Sequence, residues 1–144
     1  VDGSAPVRLG LGASTPSSVP MSPVISPDGS VLFHEGSNLG GATALHGIRL
    51  DGTRVDHPAL SVSATFNAEE GRTRFLPNGK GLVYLSMNDY WLLDLSTFKS
   101  RRLTDLGSGD KRGTFDITPD GKQIVFGRLR ENADIVVIDL PGEG

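Results

Sequence analysis

The sequence contains no cysteine, which excludes disulfide bonds, thiol nucleophiles and thiolate metal sites. It has no apolar run near the roughly 20 residues that a membrane-spanning helix needs. Basic residues are not in excess, since 14 Lys and Arg face 17 Asp and Glu, and a net charge of −3 attracts neither nucleic acid nor an anionic membrane. Glycine and proline are abundant instead, at 19 and 9 of 144 residues. This content interrupts helices and favours one all-β domain of short strands and tight turns.

A turn-forming triplet of Pro, Asp or Asn, and Gly occurs three times. The copies are Pro27, Asp28 and Gly29; Pro77, Asn78 and Gly79; and Pro119, Asp120 and Gly121. Pro presets φ, Asp or Asn bonds its own backbone, and Gly accepts a positive φ, so we expect each triplet to be a structural turn. The spacing of 50 and then 42 residues is typical of propeller blades or helical solenoids. Because the composition disfavours helices, the sequence predicts a β-propeller segment.

Each triplet is followed by two short apolar runs, and the second run of each copy ends at an aspartate, namely Asp51, Asp94 and Asp139. The runs are almost continuously apolar, which is typical of strands that are covered on both faces. We expect strands at residues 21–26, 31–35, 44–50, 55–60, 72–76, 81–87, 90–95, 100–104, 114–118, 123–128 and 134–140, and no helix longer than two turns.

The chain is expected to be a single propeller segment over residues 1–144. Its predicted parts are an orphan outer strand at 1–11, blade one at 12–63, blade two at 64–106, and blade three, without its outer strand, at 107–144. Propellers usually need 4–8 blades to close, and an open row of three exposes apolar faces. Two arrangements satisfy this requirement: the chain is a piece of a longer propeller, or two copies form a six-bladed ring and exchange the strand at 6–11.

The triplet regions resemble the TolB-type β-propeller repeats, bacterial relatives of WD repeats. The resemblance is carried by Ser26 to Gly29, by Thr118 to Gly121 and by Arg102-Leu103-Thr104, while Asn78 replaces the usual Asp in the second copy. Residues 126–140 also resemble the last blade of propellers appended to bacterial serine/threonine kinases or sensors. The resemblance implies a periplasmic or extracytoplasmic location, which the composition alone leaves open.

Candidate partner-binding residues lie in the connections between blades and between the second and third strands of a blade. These connections share one face of an up-and-down propeller, and long, charged loops are typical of binding surfaces. We expect Tyr90 to stand at the rim of this face as an anchor. The candidates are Glu69, Glu70, Arg72, Asn88, Asp89, Tyr90, Asp110, Lys111, Arg112, Arg130 and Glu131.

Other residue patterns receive structural interpretations. His34, His46 and His57 have no metal-ligand spacing and are expected at the surface or at strand ends. The glycines at 10–13 and 107–113 do not form a phosphate loop, and no Gly-x-Ser-x-Gly motif supplies a hydrolase nucleophile. We expect the basic residues near Lys99 and Arg101 to be solvated strand edges. No cofactor and no metal is predicted.

These patterns favour a non-catalytic recognition or scaffold module that binds a protein or peptide partner, without nucleic-acid binding or membrane insertion. The alternative is the regulatory or sensor propeller of a larger enzyme, a serine/threonine kinase or a prolyl-oligopeptidase-like hydrolase, with its active site outside this chain. A self-contained enzyme is disfavoured because no catalytic constellation is recognised.

Overall fold

All regular secondary structure in the described residues is β-strand. The structure is a computed structural model that describes residues 20–37, 43–56, 61–62, 73–86, 89–106, 111–129 and 133–141. Within these ranges no helix is long and apolar enough to cross a membrane. The strands are β1 (Pro20–Ile25), β2 (Val31–Ser37), β3 (Thr43–Arg49), β4 (Arg54–Val55), β5 (Ser61–Val62), β6 (Thr73–Phe75), β7 (Gly81–Ser86), β8 (Asp89–Asp94), β9 (Ser100–Arg102), β10 (Lys111–Ile117), β11 (Gln123–Leu129) and β12 (Ala133–Asp139).

The strands form three antiparallel sheets in which chain neighbours pair. The first sheet has the order β1-β2-β3-β4, and β5 also pairs with β3. The second sheet is β6-β7-β8-β9, and the third is β10-β11-β12. Each sheet is therefore an up-and-down unit like a propeller blade. The all-β propeller segment that the sequence predicts is confirmed, and the division into blades at the stated boundaries stays a prediction, with residues 1–11 outside the described ranges.

Strand positions agree with the predicted ones to within about three residues, with one exception. In place of one outer strand at 55–60, the structure has Arg54–Val55 and Ser61–Val62, which pair with different parts of β3. Residues 57–60 lie outside the described ranges, as does His57.

The three triplet turns have the same backbone geometry. The amides of Gly29, Gly79 and Gly121 donate to the carbonyl oxygens three residues earlier at 2.8, 2.9 and 2.8 Å, and their φ angles are +74°, +72° and +70°. A left-handed φ at this point lets the chain reverse without a Cβ penalty. The sequence signature thus maps onto one repeated turn.

The polar residue at the centre of each turn bonds its own loop. Asp28, Asn78 and Asp120 each accept a hydrogen bond from the amide two residues later, at 3.0, 3.0 and 3.1 Å. Asp28 also accepts from the hydroxyls of Ser26 at 2.5 Å and Ser30 at 2.9 Å. These donors, Ser26 foremost, lower the pKa of Asp28 to about 2. The Asp28 carboxylate is held within its own turn.

The core consists of two clusters, one on each side of the second sheet. Leu82 and Tyr84 of β7 pack in a cluster with Phe33 and Leu45 of the first sheet. The alternate residue Val83 packs in a second cluster with residues of the third sheet such as Phe126. Because strand side chains alternate between faces, β7 is buried on both sides, which explains its continuous apolar sequence.

Adjacent sheets also meet through their turns. A Cβ built on Gly79 would lie 3.8 Å from Cδ of Pro27, and one on Gly121 would lie 3.3 Å from Cδ of Pro77. A Cβ built on Gly29 would have no neighbour within 4 Å. The proline of one turn therefore lies against the glycine of the next turn along the row.

Gly121→Ala is expected to destabilise the protein more than its matched control, Gly29→Ala. Both substitutions place an L side chain at a φ near +70°, which costs about 1–2 kcal/mol. Only the methyl group at residue 121 also presses on Pro77. Denaturant unfolding of the two variants measures the difference, and equal losses would show that the contact between turns does not affect stability.

Candidate functional site: a groove on the turn face

A groove with a volume of about 840 Å³ opens between the first and second sheets. It lies at the end of the sheets that carries the triplet turns, which we name the turn face. Its walls include Ser26, Pro27, Asp28 and Ser30 of one turn and Pro77, Asn78, Gly79 and Lys80 of the next. We call it the turn-face groove. Its size is in the range of ligand pockets, about 300–1,000 Å³.

The apolar lining of the groove is the edge of the core between these sheets. Phe33 and Phe75 meet edge to face, with ring centroids 5.9 Å apart. Val55, Leu95 and Phe98 are partly buried against the same cluster and also line the groove. Half-buried apolar side chains of this kind can bury further area against a ligand.

Charged side chains surround this apolar lining. Arg49 and Arg54 come from the hairpin that joins β3 to β4, and Lys80 comes from the second turn. Arg49 donates from Nη1 to the carbonyl oxygen of Arg54 at 3.1 Å. Two carboxylates, Asp28 and Asp56, also line the groove. Cationic side chains thus exceed anionic ones in a chain of negative net charge.

Arg49 occupies a position that is acidic in the other two sheets. The strand register pairs Val31 with Arg49, Gly81 with Asp94 and Gln123 with Asp139, so Arg49 corresponds to Asp94 and Asp139. Asp94 accepts hydrogen bonds from Ser96 and Thr97 in its own hairpin, and these lower its pKa to about 2. The first sheet therefore departs from the repeat at the groove.

Phe98 has an unusual backbone conformation for its residue type. Its φ is +53°, the one positive value among the described non-glycine residues. Its amide donates to the carbonyl oxygen of Asp94 at 2.8 Å and closes the β8–β9 hairpin. A bulky residue in this region costs of order 1–3 kcal/mol, and such strain clusters at functional sites. The aromatic ring stands in the groove at this cost.

Most of the predicted partner-binding residues lie outside the described ranges, so their role stays a prediction. They are Glu69, Glu70, Arg72, Asn88, Asp110, Arg130 and Glu131. The expectation that Lys111 and Arg112 belong to a loop is wrong, because β10 begins at Lys111 and pairs these residues with Leu129 and Arg128 of β11. The register of β10 against β11 shifts between Arg112 and Phe115, as at a β-bulge.

The expectation that Tyr90 stands at the rim is also wrong. Its side chain has no exposed surface, and its ring lies 5.0 Å from Phe115 and 4.8 Å from Phe126, centroid to centroid. Tyr90 faces the third sheet because it alternates with Trp91, which packs toward the first sheet. Its position directly after the polar residues Asn88 and Asp89 suggests exposure, whereas its place in the strand register buries it.

Asp89 is a buried structural residue. Its carboxylate accepts hydrogen bonds from Arg102 Nη2 at 2.6 Å, Thr104 Oγ1 at 2.8 Å and the Leu106 amide at 2.9 Å. Burial raises its pKa, but the donors together lower the pKa below its usual value. Thr104 Oγ1 in turn accepts from the Tyr90 amide at 3.0 Å. The Arg-Leu-Thr segment of the repeat is thereby fastened to the start of β8, and this carboxylate is engaged within the chain.

His34 and His46 are not surface or strand-end residues, in contrast to the expectation. They face each other across β2 and β3 with ring centroids 5.3 Å apart, and His34 is buried. Among the residues that the structure describes, no group of three or more His, Asp or Glu side chains could hold a metal ion.

Sequence reasoning missed the turn-face groove. Its walls are the short triplet turns, which were interpreted as structural connections only. The signal that could have located it is the loss of the repeat's acidic residue at Arg49, but that position aligns with Asp94 only through the strand register.

The row of three sheets has the architecture of part of a β-propeller, and solved propeller structures are similar to it. It superposes on a protein designated TolB in Agrobacterium tumefaciens with a TM-score of 0.61 and 16% identity, over 89% of this chain and 47% of that protein. TolB from Acinetobacter baumannii gives 0.57 and 21% over 83% and 29% of the two chains. Oligogalacturonate lyase from Vibrio parahaemolyticus gives 0.60 and 13% over 80% and 31%.

The chain therefore has the fold of TolB-like β-propellers, as the sequence resemblance implies. It spans less than half the length of these structures. No protein-family model matches the sequence. No curated protein matches it either.

Asp89→Asn is expected to destabilise the protein by about 2 kcal/mol, because a buried carboxylate that accepts four hydrogen bonds from Arg102, Thr104 and Leu106 loses its charge. The control is Asp105→Asn, whose carboxylate bonds the same Arg102 nitrogen at 2.6 Å but is 87% exposed. This exposed pair should contribute less than about 0.5 kcal/mol. Thermal unfolding of both variants tests the contrast, and a D105N loss as large as that of D89N would contradict it.

Proposed function

We propose that this chain is a non-catalytic binding module that recognises a protein or peptide partner through the turn-face groove. The observation that carries the proposal is the combination of an apolar floor with charged walls in one cavity of about 840 Å³. Such a cavity offers area for burial and a few polar groups that fix orientation. The strained Phe98 supports the same site, since its ring is held in the groove against a backbone cost.

We propose a non-catalytic role because the described residues that line the groove include no activated nucleophile and no acid–base pair that is available for proton transfer. Its Asp28 carboxylate is occupied by the hydroxyls and amide of its own turn, and its pKa of about 2 leaves it unsuited to proton transfer near neutral pH. The structures of similar fold include TolB, a lyase and a peptidase, so fold alone does not decide between binding and catalysis.

Binding to an array of random peptides tests the site. Phe98→Gly removes the ring while leaving a residue that accepts φ +53°, so it should abolish array binding and keep the fold. Arg112→Ala, on the face that the sequence favours, is the control and should leave binding unchanged. Loss of peptide binding in R112A but not in F98G would show that the partner binds the opposite face and would contradict the proposal.

The same preparation should produce no turnover of oligogalacturonate or of an acylaminoacyl p-nitroanilide, substrates chosen from the names of the structurally similar enzymes. Turnover that follows the protein through purification would contradict the non-catalytic proposal.

A second candidate is the regulatory or sensor propeller of a larger enzyme. The observation that favours it is partial coverage: the chain matches 18% of an acylaminoacyl peptidase from Pyrococcus horikoshii with a TM-score of 0.55. The sequence of the reading frame on both sides of Val1 and Gly144 distinguishes the two candidates.

We further propose that two copies assemble into one propeller. The strand register places Leu45, Tyr90 and Ile135 at equivalent positions in the three sheets. Each lies two residues before the residue that pairs across the strands with Phe33, Val83 or Val125, respectively. Leu45 and Tyr90 are buried against the following sheet, at 2% and 0% exposure, whereas Ile135 is 80% exposed and Val137 is 50% exposed. An apolar face that is buried at every internal junction needs a following blade.

The first turn offers the complementary surface. Nothing lies within 4 Å of a Cβ built on Gly29, whereas the corresponding Gly79 and Gly121 each meet the proline of the preceding turn. In a two-fold ring, Pro119 of each copy would approach Gly29 of the other. Two-fold dimers are the commonest oligomers, and the ring buries both ends of the row.

Light scattering should give about twice the chain mass of 15.2 kDa. Ile135→Glu should yield a folded monomer, because a charge would be buried at the junction. Arg101→Glu, on the exposed outer strand β9 of the second sheet, which already has a sheet on each side, is the control and should leave the dimer intact. A stable wild-type monomer would overturn the proposal, and an intact dimer after deletion of residues 1–11 would exclude an exchanged strand.

A further inference from the structure

We infer that the turn-face groove takes an extended acidic peptide, in which carboxylate side chains alternate with apolar ones. The inference rests on the proposed function and adds the chemical class of the partner. It follows from where the groove departs from the repeat, from the distribution of charge on its two walls, and from its aromatic floor.

The cationic character of the groove comes in part from Arg49, which distinguishes this junction from the repeat, whereas Lys80 has a counterpart in Lys122 of the third turn. Arg49 stands at the position that Asp94 and Asp139 occupy in the other sheets, so this position is cationic in the first sheet and anionic in the other two. Arg54 follows in the same hairpin and Lys80 extends from the opposite wall. The guanidinium of Arg49 is oriented by its bond to the Arg54 carbonyl oxygen. Guanidinium groups are well suited to carboxylate recognition.

The two acidic residues of the lining, Asp28 and Asp56, offset the positive charge of the groove only in part. Asp28 accepts hydrogen bonds from Ser26 and Ser30, so its oxygens are directed into the first turn. Asp56 is exposed at the end of β4. The formal charge of the lining is positive by one, while the whole chain carries −3. The groove is therefore a local site for negative charge.

An extended chain fits this distribution better than a small anion. The cations lie on both walls, Arg49 and Arg54 on the first sheet and Lys80 on the second, and the floor between them is apolar. Phe75 and Phe98 present half-buried rings there. A peptide whose side chains alternate between acidic and apolar meets the charged walls and the rings together, whereas a free anion gains nothing from the rings.

The test uses four fluorescein-labelled hexapeptides and fluorescence anisotropy. The probe is Gly-Glu-Leu-Glu-Leu-Gly, and its matched forms replace Glu by Gln, Glu by Lys, or Leu by Ser. The acidic–apolar peptide should bind at least about tenfold more tightly than the Gln and Lys forms at low salt, and this advantage should shrink at 300 mM salt as screening increases. The Ser form should bind weakly.

Variants of the full chain test which basic residues cause the preference for the acidic peptide. Arg54→Glu combined with Lys80→Glu should lose the preference for the acidic probe and gain affinity for the Lys peptide. The control is Arg101→Glu, on the exposed outer strand β9 and not part of the groove lining, which should bind like the parent protein.

The outcomes separate the inference from the proposed function. Equal binding of the Glu and Gln peptides, with loss of both in F98G, would overturn the acidic specificity and keep the groove as the binding site. If every peptide binds the parent protein no more tightly than it binds the F98G variant, both the inference and the proposed function are wrong. An acidic preference that R101E removes as fully as the groove variant would assign the effect to overall charge and overturn the inference.

Discussion

A sheet whose side chains are apolar on both faces must have another sheet on each side, and most of this structure depends on that constraint. The second sheet meets it, because Leu82 and Tyr84 face the first sheet while Val83 and Leu85 face the third. The same requirement explains why Tyr90 is buried and why the equivalent Ile135 is exposed at the end of the row. A row of stacked sheets is thus complete only when its two ends are covered.

The repeated turn sets the spacing of the row, and the differences between repeats supply its chemistry. Pro77 lies close against Gly121, whereas the contact of Pro27 with Gly79 is looser. The looser junction is the one at which the groove opens, and it is lined by Arg49 in place of an acidic residue. Turns of the same geometry build the scaffold, while the first junction departs from the pattern and opens into the groove.

Two groups of polar residues form structural hydrogen bonds within the chain, which the sequence alone does not show. Asp89 fastens the Arg102 and Thr104 side chains to the edge of β8, and the centre of each triplet turn bonds its own loop. Such bonds satisfy groups that would otherwise be costly to bury or that would leave the turns unpaired. The cationic side chains that line the groove lie on the β3–β4 hairpin and on the second turn.

The sequence by itself determined the fold class, the three turns and nearly all strand positions, because proline, glycine and continuous apolar runs act locally on the backbone. It could not assign Tyr90 or Asp89, since burial depends on the face of the strand that a neighbouring sheet covers. Nor could it align Arg49 with Asp94: by sequence Asp51 is the counterpart, and only the pairing of β2 with β3 shifts the correspondence by two residues. The groove is decided by tertiary structure for the same reason, because its walls belong to turns about 50 residues apart that meet only when the sheets stack.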